Sequence, residues 1–488
     1  MYNAYITRIK NLHKHPNADR LQIGECFGNA VIVSMDYEDN QLGIYLPSDG
    51  QVSVAFADAN NLLRKKDENG NNVGGYMDPD KRNVTAIKLR GEKSDGLFLP
   101  LKSLESFGDI TALREGDRLD TFNGHEICCK YVPRTKHRRG HVSDGNKTRK
   151  KKVPVAPLFA EHADTEQLAY NLGAFKAGDE IEITLKMHGT SQRTGYLPVL
   201  KGYKDNWTHL VRNWLWFQFN RITHKNDLYT TIDGFKHGEP VYDWGYVSGT
   251  RRTVLEDFEG GYYGSNEFRE AHSKFFEGKL NKGEEIFYEV VGFTTNGTPI
   301  MANGDNKKLN DKEFVKQYGD TTVFSYGCEP AGFTEDCCGP TYPQSDIYVY
   351  RMTMTNEDGF TTEYTPDFMR YRCEQMGVKT VPVFAKGTID GEGVHIYYPN
   401  EELYGFVHET ENVGDTVKQV AEKYYDGPDP VGKTHVREGV VVRIVNRPKF
   451  CAYKHKNWFF KALEGIVKVE AEVPDMEEAE SLTENDTE

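Results

Sequence analysis

"GDEIEITLKMHGTSQRT", residues 178–194, decides the fold. Ile181, Ile183 and Leu185 alternate with polar neighbours, which predicts a buried strand. That strand carries Lys186 to its end, into a turn that Gly189 keeps open. A lysine delivered this way can serve as a nucleophilic amine, or can be an ordinary surface residue. Residues further along the chain separate the two readings.

The chain has 488 residues, enough for two to four domains. No run of eighteen apolar residues occurs, so no membrane span is expected. The start "MYNAYITRIKNLHKHPNADR" has no apolar signal core, which argues for a cytoplasmic protein. Eight cysteines, two adjacent at Cys337 and Cys338, do not form a disulfide framework, and no C-x-x-C pair supports zinc. The net charge of -14 is concentrated: residues 470–488 hold nine acids and no base, and without them the remainder carries -5. This tail reads as disordered and solvated. In contrast, "RTKHRRGHVSDGNKTRKKK", residues 134–152, has nine Lys or Arg and one Asp, a local charge suited to a polyanion.

We expect an α+β chain. Residues 1–125 carry short strand-like runs ("MYNAYITRI", "AVIVSM", "QLGIYLP", "DGLFLPL") that suit a small β-barrel. Residues 126–155 read as a basic linker, either a phosphate-contacting strap or a solvated hinge. Residues 156–469 form a second domain, with strands at "DWGYVSGT", "EEIFYEVVGF", "TTVFSYGC", "SDIYVYRMT" and "HVREGVVVRI", and helices at "DTEQLAYNLGAF", "NEFREAHSKFFEG" and "PDFMRYRCEQMG". Another stretch, "WTHLVRNWLWFQFNRITHK" (207–225), sets Leu210, Trp214 and Phe217 at helical spacing. Its aromatics read first as packed core and second as a base-stacking surface.

Four further stretches come after Lys186 in order: "SGTRR" (248–252), "FYEVVG" (287–292), "REGVVVRI" (437–444) and "YKHKNWFF" (453–460). Together they meet the needs of phosphoryl transfer to an amine. At an ordinary pKa of ~10.4, only about one lysine in a thousand is neutral near pH 7.5. Nearby cations and burial raise that fraction. Lys454 and Lys456 alternate on one strand face, where they can favour the neutral Lys186 and bind the phosphate under attack. Glu438, at the mouth of an apolar strand, suits a Mg2+ shell. Arg251 or Arg252 offers a fork for phosphate or ribose oxygens. Glu289, among Phe287, Tyr288 and two valines, is placed to accept a ribose hydroxyl.

The order K-x-H-G, S-x-x-R, Y-E-x-x-G, E-G-V-V-V, K-x-K resembles the covalent nucleotidyltransferases, which comprise DNA ligases, RNA ligases and mRNA capping enzymes. "KMHGTS" is similar to the RNA ligase 2 branch, where DNA ligases and capping enzymes usually show Asp in place of His188. "HADTEQL", "EVVGFTTNGTPI", "FSYGC" and "DIYVYRMT" resemble a subgroup of RNA ligases that places an OB module first, and "HPNADRLQIGECFGNAVIV" resembles the opening strands of such modules. The resemblance implies an N-terminal OB-like barrel followed by an adenylyltransferase domain of antiparallel sheets with flanking helices. It implies that Lys186 forms lysyl-AMP, that Glu289 contacts ribose and that Tyr350 stacks on adenine. It further implies that Glu438 serves Mg2+ or Mn2+, that Lys454 and Lys456 hold the α-phosphate, and that His188 and Gly189 help bind the nucleotide. Leu185 departs from the Glu that relatives often carry, and "VYRM" departs from their Phe-Asp. Only 32 residues come after Lys456, too few for the trailing OB domain of a DNA ligase or capping enzyme. The expected activity is ATP-dependent sealing of RNA ends, or of a nicked duplex containing RNA, by a monomer. The alternatives are a capping-type guanylyltransferase, a DNA ligase, or a non-catalytic OB-type nucleic-acid-binding protein.

Overall fold

The structure, a computed structural model, describes residues 2–65, 74–131, 153–159, 161–162, 165–223, 237–255, 257–258, 266–296, 300, 312–318, 345–398, 401–408, 412–431, 436–463 and 467–469. The basic stretch 134–152, the strand expected at 321–328 and the acidic tail lie outside them. The chain is of mixed α and β content, mostly sheet with few helices. Among the described residues no helix is long and apolar enough to cross a membrane.

Two compact units form. One gathers the described residues of 1–143, 306–324 and 456–488, the other those of 144–305 and 325–455. In the first, Leu42–Leu46 pairs antiparallel with Ala4–Arg8 on one side and Leu97–Pro100 on the other. Leu21–Cys26 and Asn29–Ser34 make a hairpin whose tip residues, Phe27 (φ 55°) and Gly28 (φ 70°), both lie in the left-handed region that matches strand twist. Ile6, Ile44, Leu46, Phe56, Leu104 and Ile127 fill its core. Val467–Val469 adds in parallel to Ala86–Leu89.

The second unit contains β1 (Glu180–Leu185), β2 (Thr190–Lys204), α1 (Trp207–Thr223), β3 (Glu239–Gly249), α2 (Glu267–Phe275), β4 (Glu284–Gly292), β5 (Ser345–Thr355), α3 (Pro366–Met376), β6 (Val383–Ile389), β7 (Gly393–Tyr398), β8 (Glu401–His408), α4 (Val413–Glu422), β9 (Gly439–Ile444) and β10 (Cys451–Lys456). One sheet runs Glu166–Gln167, β10, β9, β1, β6, β7, β8; the other runs Val254–Leu255, β3, β2, β4, β5, Thr361–Glu363. The alternation read from the sequence orients both. Ile181 and Ile183 of β1 join Val440 and Val442 of β9 under Val417, Val420 and Ala421 of α4. Those three helix residues recur at i, i+3 and i+4, one face of a helix. On the second sheet, Ile286, Tyr288 and Val290 of β4 pack with Met352 of β5, Phe268 of α2, and Met369, Cys373 and Met376 of α3. Burying each large apolar side chain contributes roughly 1.5–3 kcal/mol. Helix α3 has sharp ends. Thr365 Oγ1 accepts from Phe368 N at 3.3 Å, Pro366 opens the helix, and Gly377 closes it at φ 69°.

Two sequence expectations need correction. The helix expected over 164–175 does not form in its described part, 165–175; Leu168–Tyr170 and Leu172–Ala174 are separate 3-10 turns. Asn171 leaves helical geometry (φ -132°), and its side-chain amide donates to Gln167 O at 2.8 Å, competing with the helical ladder. Helix α1 does form, but its aromatic stripe is not packed core. Trp207, Leu210 and Trp214 are 72%, 59% and 60% exposed.

Candidate active site

Strand β1 ends at Leu185, and the next residues keep alternating. Leu185 and Met187 enter an apolar cluster with Val291, Val381, Tyr348 and Tyr350. Lys186 and His188 face the other way, onto Glu438. Lys186 Nζ donates to Glu438 Oε1, and His188 Nδ1 lies 3.5 Å from Oε2. Backbone register sets this meeting: Leu185 pairs with Val440, and Lys186 N donates to Gly439 O at 3.0 Å. Gly439 adopts φ 144°, a conformation suited to glycine, between Glu438 and the strand. Glu438 and His188 are buried, while the Lys186 side chain keeps 23% exposure. The amine is therefore reachable and its carboxylate partner is not.

Gly189 lets the turn lie against β4. A Cβ there would fall 2.4 Å from Val290 O and 2.8 Å from Glu289 Cγ. Glu289 stands opposite Ser191 in the β2–β4 ladder. Burial raises its pKa to about 7; Lys186 pulls it down and Glu438 pushes it up. The Tyr350 hydroxyl lies 3.0 Å from Ser191 Oγ. Burial, then the Glu289 carboxylate, holds that phenol above the ordinary tyrosine range.

The "SGTRR" stretch begins on the last two residues of β3 and turns out of it, with Arg251 and Arg252 exposed. Two backbone contacts hold the loop: Thr250 O accepts from Arg193 Nε at 3.0 Å, and Arg251 O accepts from His162 N at 3.0 Å. The Arg251 charge acts on Glu289. Lys454 and Lys456 share one face of β10, opposite Tyr453, whose ring meets Phe175 at 5.4 Å. Strand β10 neighbours β9, which neighbours β1. Lys454 thus stands two strands from the Lys186 strand, in register with Gln167. The boundary between the units falls inside β10, after His455, so that Lys456 counts with the first unit, its Nζ 5.5 Å from the Phe460 ring centre.

Direct contacts join Lys186 and His188 to Glu438, Gly189 lies against Glu289 and Val290, Ser191 links Tyr350 to the β2–β4 ladder that carries Glu289, and charge couples Glu289 to Lys186 and Glu438. Sequence reasoning missed two supports. Buried Arg269 of α2 grips the start of β2 by donating to Thr190 Oγ1 at 2.6 Å and Ser191 O at 3.2 Å. Gln192 returns a bond to Arg269 O at 2.8 Å. His162 packs its ring 5.1 Å from Phe287 and 5.6 Å from Tyr350, and its Nδ1 accepts from Arg351 Nη1 at 2.9 Å. The only signal for Arg269 was its place beside Phe268 on the inward face of an amphipathic helix.

Such a site can hold a nucleotide beside a partly exposed lysine paired with a buried carboxylate. Mg2+ is normally held by one or two carboxylates together with substrate phosphates and water. The donor set fits that habit: Glu438 holds the amine, Glu289 is electrostatically coupled to both, and among the described residues no group of three or more His, Cys, Asp or Glu forms an all-protein cage.

No family model matches the sequence, and no curated protein matches it. Solved structures do. RNA ligase from Naegleria gruberi with pyrophosphate is 16% identical at a TM-score of 0.51, covering 94% of this chain and 97% of that one. A mutant of that ligase with ATP and manganese is 16% identical at 0.52, covering 95% and 98%. Another mutant, with AMP and manganese, is 14% identical at 0.50, covering 95% and 98%. The chain shares the fold of an RNA ligase over nearly the full length of both proteins.

Proposed function

We propose that the protein is an ATP-dependent RNA ligase that joins 3′-OH and 5′-phosphate ends through a lysyl-AMP and an RNA-adenylate. The observation that carries this reading is Lys186, a reachable amine at a strand end, held on buried Glu438 beside Glu289. The RNA ligase fold of the whole chain supports it.

Lys186 Nζ attacks the α-phosphorus of ATP, forming a P–N bond as the P–O bond to pyrophosphate breaks. An oxygen of the RNA 5′-phosphate next attacks the same phosphorus, and the bonding pair returns to Lys186 as its P–N bond breaks. The neighbouring 3′-OH then attacks the 5′-phosphorus, and AMP leaves with the bridging oxygen. Each step is a displacement in which positioning and charge neutralisation do most of the catalysis. Glu289 accepts a ribose hydroxyl, Tyr350 borders the base, His188 positions phosphates, and Arg251 or Arg252 binds phosphate or ribose oxygens. Lys454 and Lys456 neutralise the α-phosphate. Glu438 would hold Mg2+ or Mn2+, which when bound neutralises charge on the phosphates and the leaving group. An OB-like barrel in residues 1–125 and the basic stretch after it would hold the RNA backbone, with 156–469 as the catalytic domain and the protein acting as a monomer.

Matched nicked duplexes, with ribose and deoxyribose exchanged on each side of the break, test the substrate. Efficient sealing is expected where the 3′-OH strand ends in ribose, with weak sealing of an all-DNA nick. Equal rates on both contradict the RNA assignment, and label transfer from GTP in preference to ATP points to capping.

A further inference from the structure

Helix α1 is inserted at the far end of a long hairpin from the site. Strand β2 begins at Thr190, beside Gly189, and runs fifteen residues; β3 returns to the "SGTRR" loop. The two stay paired from Arg193↔Gly249 to Lys204↔Glu239. At ~3.3 Å per residue, the helix stands about 45 Å from Lys186. Its base is fixed. Asp205 accepts from Gly238 N at 2.6 Å and lies 3.0 Å from His237 Nδ1, while the His237 ring stacks on Tyr203 at 4.3 Å. Asn206 Oδ1 accepts from His209 N at 3.1 Å, capping the first turn.

Trp207, Leu210, Val211, Trp214 and Leu215 recur at i, i+3, i+4, i+7 and i+8, and all five are exposed. That spacing normally marks a face buried against the protein's own core. Three of the chain's five tryptophans lie on this helix. Residues 206–225 contain Arg212, Arg221 and Lys225 and no Asp or Glu, in a chain with 74 acids among 488 residues. Among the described side chains, 207–219, the surface is thus aromatic and carries Arg212 with no carboxylate, on an acidic protein. Bases stack on such rings, and phosphates pair with such cations.

We propose that the exposed face of α1 binds single-stranded RNA, with bases stacked on Trp207 and Trp214 and phosphates paired with Arg212. This deepens the ligase reading: the hairpin holds an arm of the RNA at a fixed distance from the nucleophile. That distance sets a length. At ~3.4 Å per nucleotide, an arm of about 20 nucleotides spans it and one of about 6 does not.

The test is a titration of the full chain, without ATP, with a single-stranded RNA of about 20 nucleotides. Binding is followed by tryptophan fluorescence and by retention of labelled RNA on filters. W207A and W214A are each expected to weaken affinity about fivefold or more, the lower end of base–aromatic stacking. W207F/W214F keeps most of the affinity, L210A/L215A changes it little, and an RNA of about 6 nucleotides, long enough for two tryptophans about 10 Å apart on the helix, keeps the difference between wild type and W207A/W214A. Unchanged affinity in W207A/W214A overturns the proposal. So does loss of anionic-vesicle binding or of a dimer in L210A/L215A while RNA affinity holds, since that assigns the face to lipid or to a second copy. Lysyl-AMP formation, measured separately, is expected to be unchanged in W207A/W214A. Its absence in wild type refutes the ligase reading while the RNA titration still decides the helix.

Discussion

Gly189 and Glu289 show how little room the site leaves. An alanine at 189 would place its Cβ 2.4 Å from Val290 O, so the turn or β4 must move. Displacements near 1 Å cost about a hundredfold in positioned chemistry, so Gly189→Ala is expected to slow lysyl-AMP formation by about that factor, measured in single turnover. Glu289 yields a signed pH prediction. Its pKa rises from 4.5 to about 7 in the folded chain, so folding favours its proton. Its contribution to stability is then best at low pH and falls as pH rises from about 4.5 to 7, by on the order of 3 kcal/mol. Only the ionised form is a full acceptor for a ribose hydroxyl, so ATP affinity is expected to rise through the same window. Glu289→Gln should flatten both profiles, read by urea midpoints and nucleotide titration at pH 5.5 and 7.5. The residues at this scale were legible because their motifs are local: Lys186, His188 and Gly189 share one turn, and Glu289 and Glu438 announce themselves as charges in apolar strands. Arg269 was not legible, since its partners lie 77 to 79 positions away on another element.

Elements set the site by burying charge as well as apolar surface. Arg193 of β2 pairs with Glu285 of β4 at 3.0 Å, and both are buried. The guanidinium also stacks 3.7 Å from the Phe159 ring centre and holds Thr250 O. Removing one partner leaves the other charge buried, so Glu285→Ala is expected to cost about 3–5 kcal/mol, read by denaturant unfolding. Arg269→Met is expected to lose about 2 kcal/mol or more of stability and to slow adenylylation together with it, because the residues after Gly189 lose their anchor. Strands β1, β3, β4, β5 and β9 could be read from their apolar runs, and α3 from its Pro366 and Gly377 boundaries, whereas β2, β6, β7 and β8 were not read. Residues 164–175 misled because helical spacing of apolar residues says nothing about a side chain, Asn171, that competes for the backbone. Helix α1 was legible as a helix but not in its exposure, which depends on what the rest of the chain leaves uncovered.

At the scale of the molecule, the last described residues join the same unit as the first described ones. Val467–Val469 pairs with Ala86–Leu89, and Lys461 Nζ donates to Asp95 Oδ2 at 2.6 Å. Phe460 is fully buried there. Phe460→Ala is expected to cost the first unit about 3–5 kcal/mol, seen as an earlier melting step in calorimetry. A three-residue strand carries no sequence mark of a parallel partner some 380 positions earlier, so this closure could not be read in advance. The larger order was legible: a β-rich leading region, then five spaced motifs, of which three fall on the adjacent strands β1, β9 and β10 and two on β3 and β4 at either side of β2. The proposed chemistry depends on one amine, and the most direct measurement is incubation of the full chain with α-labelled ATP and Mg2+. Label is expected to bind the protein covalently, to be released by pyrophosphate and to be absent in Lys186→Ala. Label that persists in Lys186→Ala, or a folded wild-type protein that takes up none, contradicts a lysyl-AMP intermediate at this residue.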